Sequence, residues 1–441
     1  MLQKYVVSTI DSRSQLTTIV LQWTCTLFWL TKAWKHRSLS GGRAADFRGV
    51  AMKQSWNISA LIGCILIVAP VPADWQQQVK LTVPDGYGDF GESVAICADY
   101  AIVGAASFDM GAGRAYIFKR DGTNWTSYAR LTASDGARND RFGSSVSISG
   151  DYAIVGAPGH GDLDTGAAYI FKRMGGTWIE QAKLSVSYAG AGAAIGLSVS
   201  LDGDYAVVGA PGDSSHTGAA YIFRRSGAEW LQQSRLAPVG QHRACDFGRS
   251  VSICGEYVIV GTSSPFSYPG CAYIYRRLGT KWVQQAKLAA SDGAVGDKFG
   301  RSVSIAGYYA AIAATWFNGS PGRVYIFKRD GTNWIQQAKL TGSDDKQMDL
   351  FGCSVCINNE YLIVGAQELG SRGAAYIFRS GSGLALRQDE HGGAAWIQEA
   401  KLTAPGGETP YGFGLSVSIS RGNVIVGGTN MESAYVFTMA Q

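Results

Sequence analysis

The chain has 441 residues and a formal net charge of +5, and charged residues make up only 17% of it. The basic residues recur at intervals instead of forming a run, which argues against a nucleic-acid partner. Gly is abundant (57 residues) and Pro is scarce (11), a balance typical of short strands joined by tight turns.

The first 51 residues form a non-repeat extension. An apolar stretch at residues 16–30 is short for a membrane span, which needs about 20 residues. We expect translation to start at Met52, with residues 1–51 untranslated. The alternative is a membrane anchor at residues 16–30, so we expect membrane contact only through this N-terminal segment.

Residues 52–73 have the pattern of a secretory signal peptide. Lys53 supplies a positive start, an apolar run covers residues 58–71, and small residues precede Ala73. The pattern predicts cleavage after Ala73 and a secreted or cell-surface protein. An alternative is lipidation at Cys64, which follows a lipobox-like Leu-Ile-Gly.

From residue 74 onward the phrase W-x-Q-Q-A-K-L recurs with variations. A repeat of about 50 residues indicates one supersecondary unit copied along the chain, and such units stack on their neighbours into one architecture. Residues 74–441 are therefore predicted to be a single domain. The phrase begins at Trp75, Trp125, Trp178, Trp230, Trp282, Trp334 and Trp396.

One copy, residues 142–184, predicts four strands. Val and Ile alternate with Ser over residues 146–149, which is the period of a strand. Its Ser face is small, which suits an innermost strand crowded near an axis. An apolar run, an A-Y-I-F-K segment and the Trp phrase follow, each separated by Gly-containing turns or loops. On the last strand, alternation places Trp178, Ala182 and Leu184 on one face. It places Ile179, Gln181 and Lys183 on the other.

A single four-stranded sheet cannot cover both of its apolar faces, but blades packed around an axis can. We therefore predict an all-β, seven-bladed β-propeller of four-stranded antiparallel blades. The first repeat element, residues 75–81, is a lone fourth strand, and the last unit, residues 413–437, lacks one. We predict that the N-terminal strand closes the ring, which removes two sheet edges.

The copies carry an F-G pair and a G-A-P phrase. G-A-P is intact at residues 156–158 and 209–211, and the third F-G is replaced by Ile195-Gly196. On these motifs residues 75–441 resemble the FG-GAP repeat family, best known from integrin alpha-subunit propellers. The resemblance implies an extracellular or surface protein used in adhesion or partner recognition. F-G begins at Phe90, Phe142, Phe247, Phe299, Phe351 and Phe413.

One feature departs from the integrin-like members, in which a calcium loop joins the F-G strand to the G-A-P strand. Here that connection is a two-residue turn, Gly150-Asp151, which cannot supply the six to eight oxygens that calcium needs. We predict no metal or cofactor site. A kelch-type propeller, suggested by Gly427-Gly428 and Tyr435, is the runner-up family and gives the same architecture.

Acidic residues recur in the loops before F-G and after G-A-P. They indicate either weak cation sites or turn chemistry, in which Asp side chains bind local backbone N–H groups; we favour turn chemistry. Four cysteines of the repeats, Cys97, Cys254, Cys271 and Cys356, replace Ser or Ala and are interpreted as small buried hydrophobes. The acidic candidates are Asp85, Asp89, Asp135, Asp140, Asp162, Asp164, Asp213, Asp292, Asp297, Asp344 and Asp349.

No catalytic sequence motif occurs, so the protein is predicted to be no enzyme. We expect a monomeric, non-catalytic binding module that recognises a protein or glycan through its long, variable loops. The aromatics in such loops indicate either ligand platforms or rim packing that excludes solvent; they are Phe266, Tyr268, Trp316 and Phe317. One alternative is a lectin or glycan-active enzyme with two or more carboxylates at the axis. The other is a structural component of a surface layer or matrix.

Overall fold

The computed structural model describes residues 74–440 except 84–87, 162, 187–188, 239–244, 264–268, 316–321, 345–349, 368–372, 382–395, 405–411 and 430–431. The N-terminal extension, the signal-peptide segment and the loop aromatics therefore lie outside the described residues. So do Asp85, Asp162 and Asp349.

The described residues form 28 strands in seven four-stranded antiparallel sheets, which confirms the predicted blades. Blade 1 comprises β2 (Val94–Cys97), β3 (Tyr100–Ala105), β4 (Arg114–Asp121) and β5 (Asn124–Leu131). Blade 2 comprises β6 (Ser145–Ser149), β7 (Tyr152–Ala157), β8 (Ala167–Met174) and β9 (Thr177–Leu184). Blade 3 comprises β10 (Ser198–Asp202), β11 (Tyr205–Ala210), β12 (Ala219–Ser226) and β13 (Glu229–Leu236).

The remaining blades repeat this order. Blade 4 comprises β14 (Ser250–Cys254), β15 (Tyr257–Gly261), β16 (Ala272–Leu278) and β17 (Lys281–Leu288). Blade 5 comprises β18 (Phe299–Ala306), β19 (Tyr309–Ala314), β20 (Arg323–Asp330) and β21 (Asn333–Leu340). Blade 6 comprises β22 (Phe351–Ile357), β23 (Tyr361–Ala366), β24 (Ala374–Ser380) and β25 (Trp396–Leu402). Blade 7 comprises β26 (Val417–Ser420), β27 (Asn423–Gly428), β28 (Ser433–Met439) and β1 (Trp75–Leu81).

Ring closure by the N-terminal strand is confirmed. β1 pairs antiparallel with β28, with Trp75 opposite Met439 and Leu81 opposite Ala434. The first and last repeat elements of the chain thus complete one blade. Trp75 and Leu81 are both buried, so this strand contributes apolar side chains to the core as well as ladder hydrogen bonds to β28.

The Val–Ser alternation of the innermost strands serves two purposes. The Val and Ile side chains are buried between blades, while serine hydroxyls accept hydrogen bonds from the next blade's backbone. Val303 N donates to Ser250 Oγ at 2.9 Å, and Ile305 N donates to Ser252 Oγ at 3.2 Å. Each innermost strand is a sheet edge, so these bonds satisfy N–H groups that no strand partner reaches.

The expected alternation of the fourth strands is wrong, because each contains a β-bulge. In blade 2, Phe171 pairs with Glu180 and Ile170 pairs with Ala182, so Gln181 is the extra residue. Trp178 consequently packs in the core cluster between blades 1 and 2. Leu184 packs in the next cluster, between blades 2 and 3.

The bulged residue itself links neighbouring blades. Trp230 Nε1 donates to Gln181 Oε1 at 3.2 Å, and Trp282 Nε1 donates to Gln233 Oε1 at 3.0 Å. The Trp and the second Gln of the repeated phrase therefore contact each other across blade boundaries, not within one copy. Where Tyr128 replaces the Gln, Trp178 Nε1 has no hydrogen-bond partner among the described residues.

The long connections and the tight turns lie on opposite faces of the ring, except that the long connection between β24 and β25 belongs to the face of the tight turns. The connections between second and third strands, and between one blade and the next, emerge on one face, here called the loop-rich face. Two four-residue helical turns, Phe108–Gly111 and Asp213–His216, lie in these connections. Among the described residues no helix has the length and apolarity needed to cross a membrane.

Candidate functional site

The axis of the ring holds a polar cavity of about 400 Å³ lined by the innermost strands of all seven blades. Its lining comes mainly from the first half of each strand, so the cavity lies toward the loop-rich face. The residues directly after the F-G glycines form its mouth. These mouth residues are Glu92, Ser144, Leu197, Arg249, Arg301, Cys353 and Leu415.

Two of the mouth residues are arginines on neighbouring blades. Arg249 of blade 4 is half-buried and Arg301 of blade 5 is exposed. Burial and the charge of Arg301 hold the pKa of the Arg249 guanidinium below its usual value. The like charges are thus close enough to destabilise one another.

The charges of the two arginines also act on Lys298 and on the carboxylate of Asp246. Burial, with the charges of Arg301 and Arg249, lowers the pKa of Lys298. Burial raises the pKa of Asp246, which Arg249 opposes. Among the described residues no carboxylate lies within ion-pair distance of the Arg249 or Arg301 guanidinium.

The opposite side of the mouth is acidic. Glu92 of blade 1 lies 3.7 Å from the Arg141 guanidinium, and burial raises the pKa of its carboxyl. Of the described residues lining the cavity, Glu92 is the sole carboxylate. A glycosidase-type pair of axial carboxylates, which would have favoured an enzyme, is not formed by this part of the chain.

Most acidic candidates in the loops are engaged within their own blade. Asp135 accepts hydrogen bonds from Tyr169 Oη at 2.8 Å and Lys183 Nζ at 2.6 Å. Burial alone would raise the pKa of Asp135, but these two donors hold it below its usual value. The same Asp–Tyr–Lys contact is made by Asp292, Tyr325 and Lys339, and by Asp344, Tyr376 and Lys401.

Other candidates bind local backbone or a cation. Asp140 Oδ2 accepts from Ala137 N at 2.8 Å and contacts His160 Nδ1 at 2.7 Å. Asp297 repeats the backbone contact by accepting from Ala294 N at 2.7 Å. Asp213 is buried and forms an ion pair with Arg235 at 2.9 Å. These contacts give the aspartates roles in turns and blade edges.

Blade 4 lacks the aspartate of the Asp–Tyr–Lys contact. Its Tyr273 and Lys287 instead line a second cavity of about 200 Å³ together with Cys245 and Cys271. Both cysteines are unoxidised, as are the other four among the described residues. Burial raises the pKa of Cys245 to about 11, which makes this thiol a weak nucleophile at neutral pH.

The family model for the FG-GAP repeat matches six segments that cover more than half of the chain. The chain belongs to the FG-GAP repeat family. The matched segments are residues 75–118, 125–171, 178–223, 282–327, 334–378 and 396–437. No curated protein matches the chain significantly.

Each FG-GAP match runs from the fourth-strand Trp of one blade through the third strand of the next. The copy from Trp230 to Tyr275 is unmatched, yet it forms blade 4 with the same strand order. FG-GAP repeats occur in extracellular and cell-surface proteins and are typical of binding and adhesion modules without catalytic activity.

Sequence reasoning missed the axial arginines of this FG-GAP ring. The signal was present, because F-G-R-S-V-S-I occurs twice, with Arg249 and Arg301 at the same position. The serine face of that strand was correctly expected to lie near the axis. Extending the expectation by one residue toward the F-G pair would have placed both arginines at the axial mouth.

Proposed function

We propose that this protein is a non-catalytic, exported binding module that recognises a protein or glycan through its loop-rich face. The observation that carries the proposal is that the long connections lie on one face of a closed ring, around the mouth of a polar axial cavity, apart from the connection between β24 and β25. Rigid scaffolds commonly present recognition residues on such loops. The family's occurrence in surface proteins and the signal-peptide pattern of residues 52–73 support export.

The experiment compares the two faces of the purified full-length chain. Binding to a glycan array and to identified surface proteins would be measured as saturable isotherms. A loop-face variant, Met110→Ser with Leu163→Ser and Val295→Ser, replaces side chains that are 55–66% exposed. We expect it to weaken binding at least tenfold, because each change removes apolar contact area.

A matched turn-face variant is the control. Met174→Ser, Leu278→Ser and Ile335→Ser change side chains with 53–55% exposure at or beside the hairpin turns of the opposite face. We expect its affinity to equal that of the wild type. Loss of binding only in the turn-face variant, or no saturable ligand for the wild type, would overturn the proposal; the latter would favour a purely structural component.

A further inference from the structure

The axial mouth combines positive charge with hydroxyl donors on one side of the ring. Arg249 and Arg301 lie on adjacent innermost strands, which Val303 N and Ser250 Oγ join at 2.9 Å. Both arginines line the axial cavity. A planar guanidinium presents its N–H donors in a geometry that matches the two oxygens of a carboxylate. Two neighbouring guanidinium groups can therefore bind one anionic group.

Three arginines of the turn face have acidic partners. On the turn face, Arg120 forms an ion pair with Asp99 at 2.7 Å, and Arg173 and Arg225 form equivalent pairs with Asp151 and Asp204. The axial pair has no such partner among the described residues. Placing two cations side by side costs free energy, and an anion bound between them would reverse that cost.

Below the arginines the wall continues as serine hydroxyls. Ser250 and Ser252 accept hydrogen bonds from the next blade's backbone at 2.9 and 3.2 Å. Ser302 and Ser304 do the same at 3.0 and 3.1 Å. A hydroxyl that accepts one bond still has its own proton to donate, so Ser250, Ser252 and Ser302 can hydrogen-bond a ligand inside the cavity.

We propose that Arg249 and Arg301 form a binding site for the carboxylate of an acidic glycan, whose sugar ring enters the axial cavity and hydrogen-bonds its serine walls. The inference rests on the proposed function and specifies its ligand class. A volume of about 400 Å³ lies within the range of small-molecule sites and exceeds what one acidic side chain fills. Serine walls offer partners to sugar hydroxyls but none to the methylene stem of Asp or Glu.

The uneven charge around the mouth gives the ligand a direction. Glu92 of blade 1 faces the axis across from blades 4 and 5, but it is paired with Arg141 at 3.7 Å. A carboxylate would therefore be attracted to the arginines of blades 4 and 5. The site therefore orients an acidic sugar with its carboxylate toward blades 4 and 5 and its neutral hydroxyls toward blade 1.

The test uses the full-length chain and uronic-acid and sialic-acid oligosaccharides, each paired with its carboxyl-reduced form. We expect binding of at least one acidic glycan and loss of binding to its reduced form. Arg249→Gln and Arg301→Gln should each weaken that binding roughly tenfold to hundredfold, because each removes charge-assisted hydrogen bonds. Arg301 is exposed, so its replacement should leave the fold intact, as thermal unfolding would verify.

The control is Arg276→Gln, which removes the same charge from a half-buried side chain near the turn face, 3.5 Å from Glu256. Its affinity should equal that of the wild type. Equal binding of reduced glycans, insensitivity to both axial variants, or binding only of acidic peptides would overturn the inference. Saturable binding of a neutral glycan or a protein through the loop-rich face would overturn it as well, while leaving the proposed function standing.

Discussion

Pairs of glycines set how closely neighbouring blades approach. The G-A-P glycine Gly156 lies against the F-G glycine Gly196 of the next blade, and a Cβ on Gly156 would lie 1.9 Å from Gly196 O. Gly196 has a φ of +88°, which residues with a side chain rarely adopt. The two halves of the repeated motif are therefore one contact across a blade boundary.

Gly156→Ala should lower the free energy of unfolding by about 1–3 kcal/mol, because the added methyl group overpacks this boundary. Blade 5 carries Ala313 beside Gly352, so the ring can adjust to one such methyl group. Gly190→Ala is the control, since nothing lies within 4 Å of its Cβ position. Chemical denaturation measures both, and equal stability of the two variants would refute the close contact.

Acid should weaken the Asp–Tyr–Lys contacts. Hydrogen bonds from Lys401 and Tyr376 hold the pKa of Asp344 below its usual value. A carboxyl with a depressed folded pKa stabilises the fold above its unfolded pKa of about 3.9, and this contribution is lost as the pH falls through the folded value. Asp344→Asn should therefore destabilise the protein at pH 7 and progressively less below about pH 4.

The measurement is the denaturation midpoint of wild type and variant across that pH range. Asp330→Asn provides the control, because Asp330 is an exposed residue of a hairpin turn. Its difference from wild type should stay small at every pH. A pH-independent gap for Asp344→Asn would show that its carboxylate charge contributes nothing.

At the scale of the element, the fourth strand of each blade joins that blade to both of its neighbours. Its bulge turns the Trp toward one neighbouring blade and the Leu toward the other, as Trp178 and Leu184 show. The bulged side chain then reaches the next blade's Trp. One short strand thus stabilises two boundaries, which explains why the phrase W-x-Q-Q-A-K-L recurs.

Gln233→Leu should destabilise the ring by about 1–3 kcal/mol, because it leaves the buried Trp282 Nε1 without its acceptor. The preceding residue offers a matched control, since Gln232 is exposed and Gln232→Leu removes the same group from the same strand. Thermal unfolding with near-UV circular dichroism would follow both variants. If Gln232→Leu proves the more damaging, the assignment of the bulge is incorrect.

At the scale of the whole molecule, stability depends on closing the circle. β1 covers the edge of β28 and buries Trp75 and Leu81. Because every blade packs on two neighbours, an open blade 7 would weaken the boundaries with blades 6 and 1 together. Closure therefore couples the two ends of the repeat region.

Deleting residues 74–82 should lower the melting temperature of the whole ring, since it exposes a sheet edge and buried apolar surface. A synthetic peptide of residues 74–82 should restore much of the loss by pairing with β28, and a scrambled peptide should not. Differential scanning calorimetry provides the measurement. An unchanged melting temperature after the deletion would contradict closure by this strand.

The sequence by itself determined the strands, their number and the closing of the ring. Alternation such as Val146-Ser147-Ile148-Ser149 is local, and a repeat with one orphan strand at each end leaves few arrangements open. The candidate site was only partly predictable: the loop-rich face and the serine-lined axis were expected, and the arginines were not.

Tertiary structure decided which copies contact which. The bulge at Gln181 moved Leu184 to the face opposite Trp178, and the ring brought Arg249 beside Arg301 although 52 positions separate them. The physical reason is the separation along the chain of the residues that determine each feature. A strand is specified by neighbours a few residues apart, whereas contacts between blades depend on twist, bulges and curvature summed over whole blades.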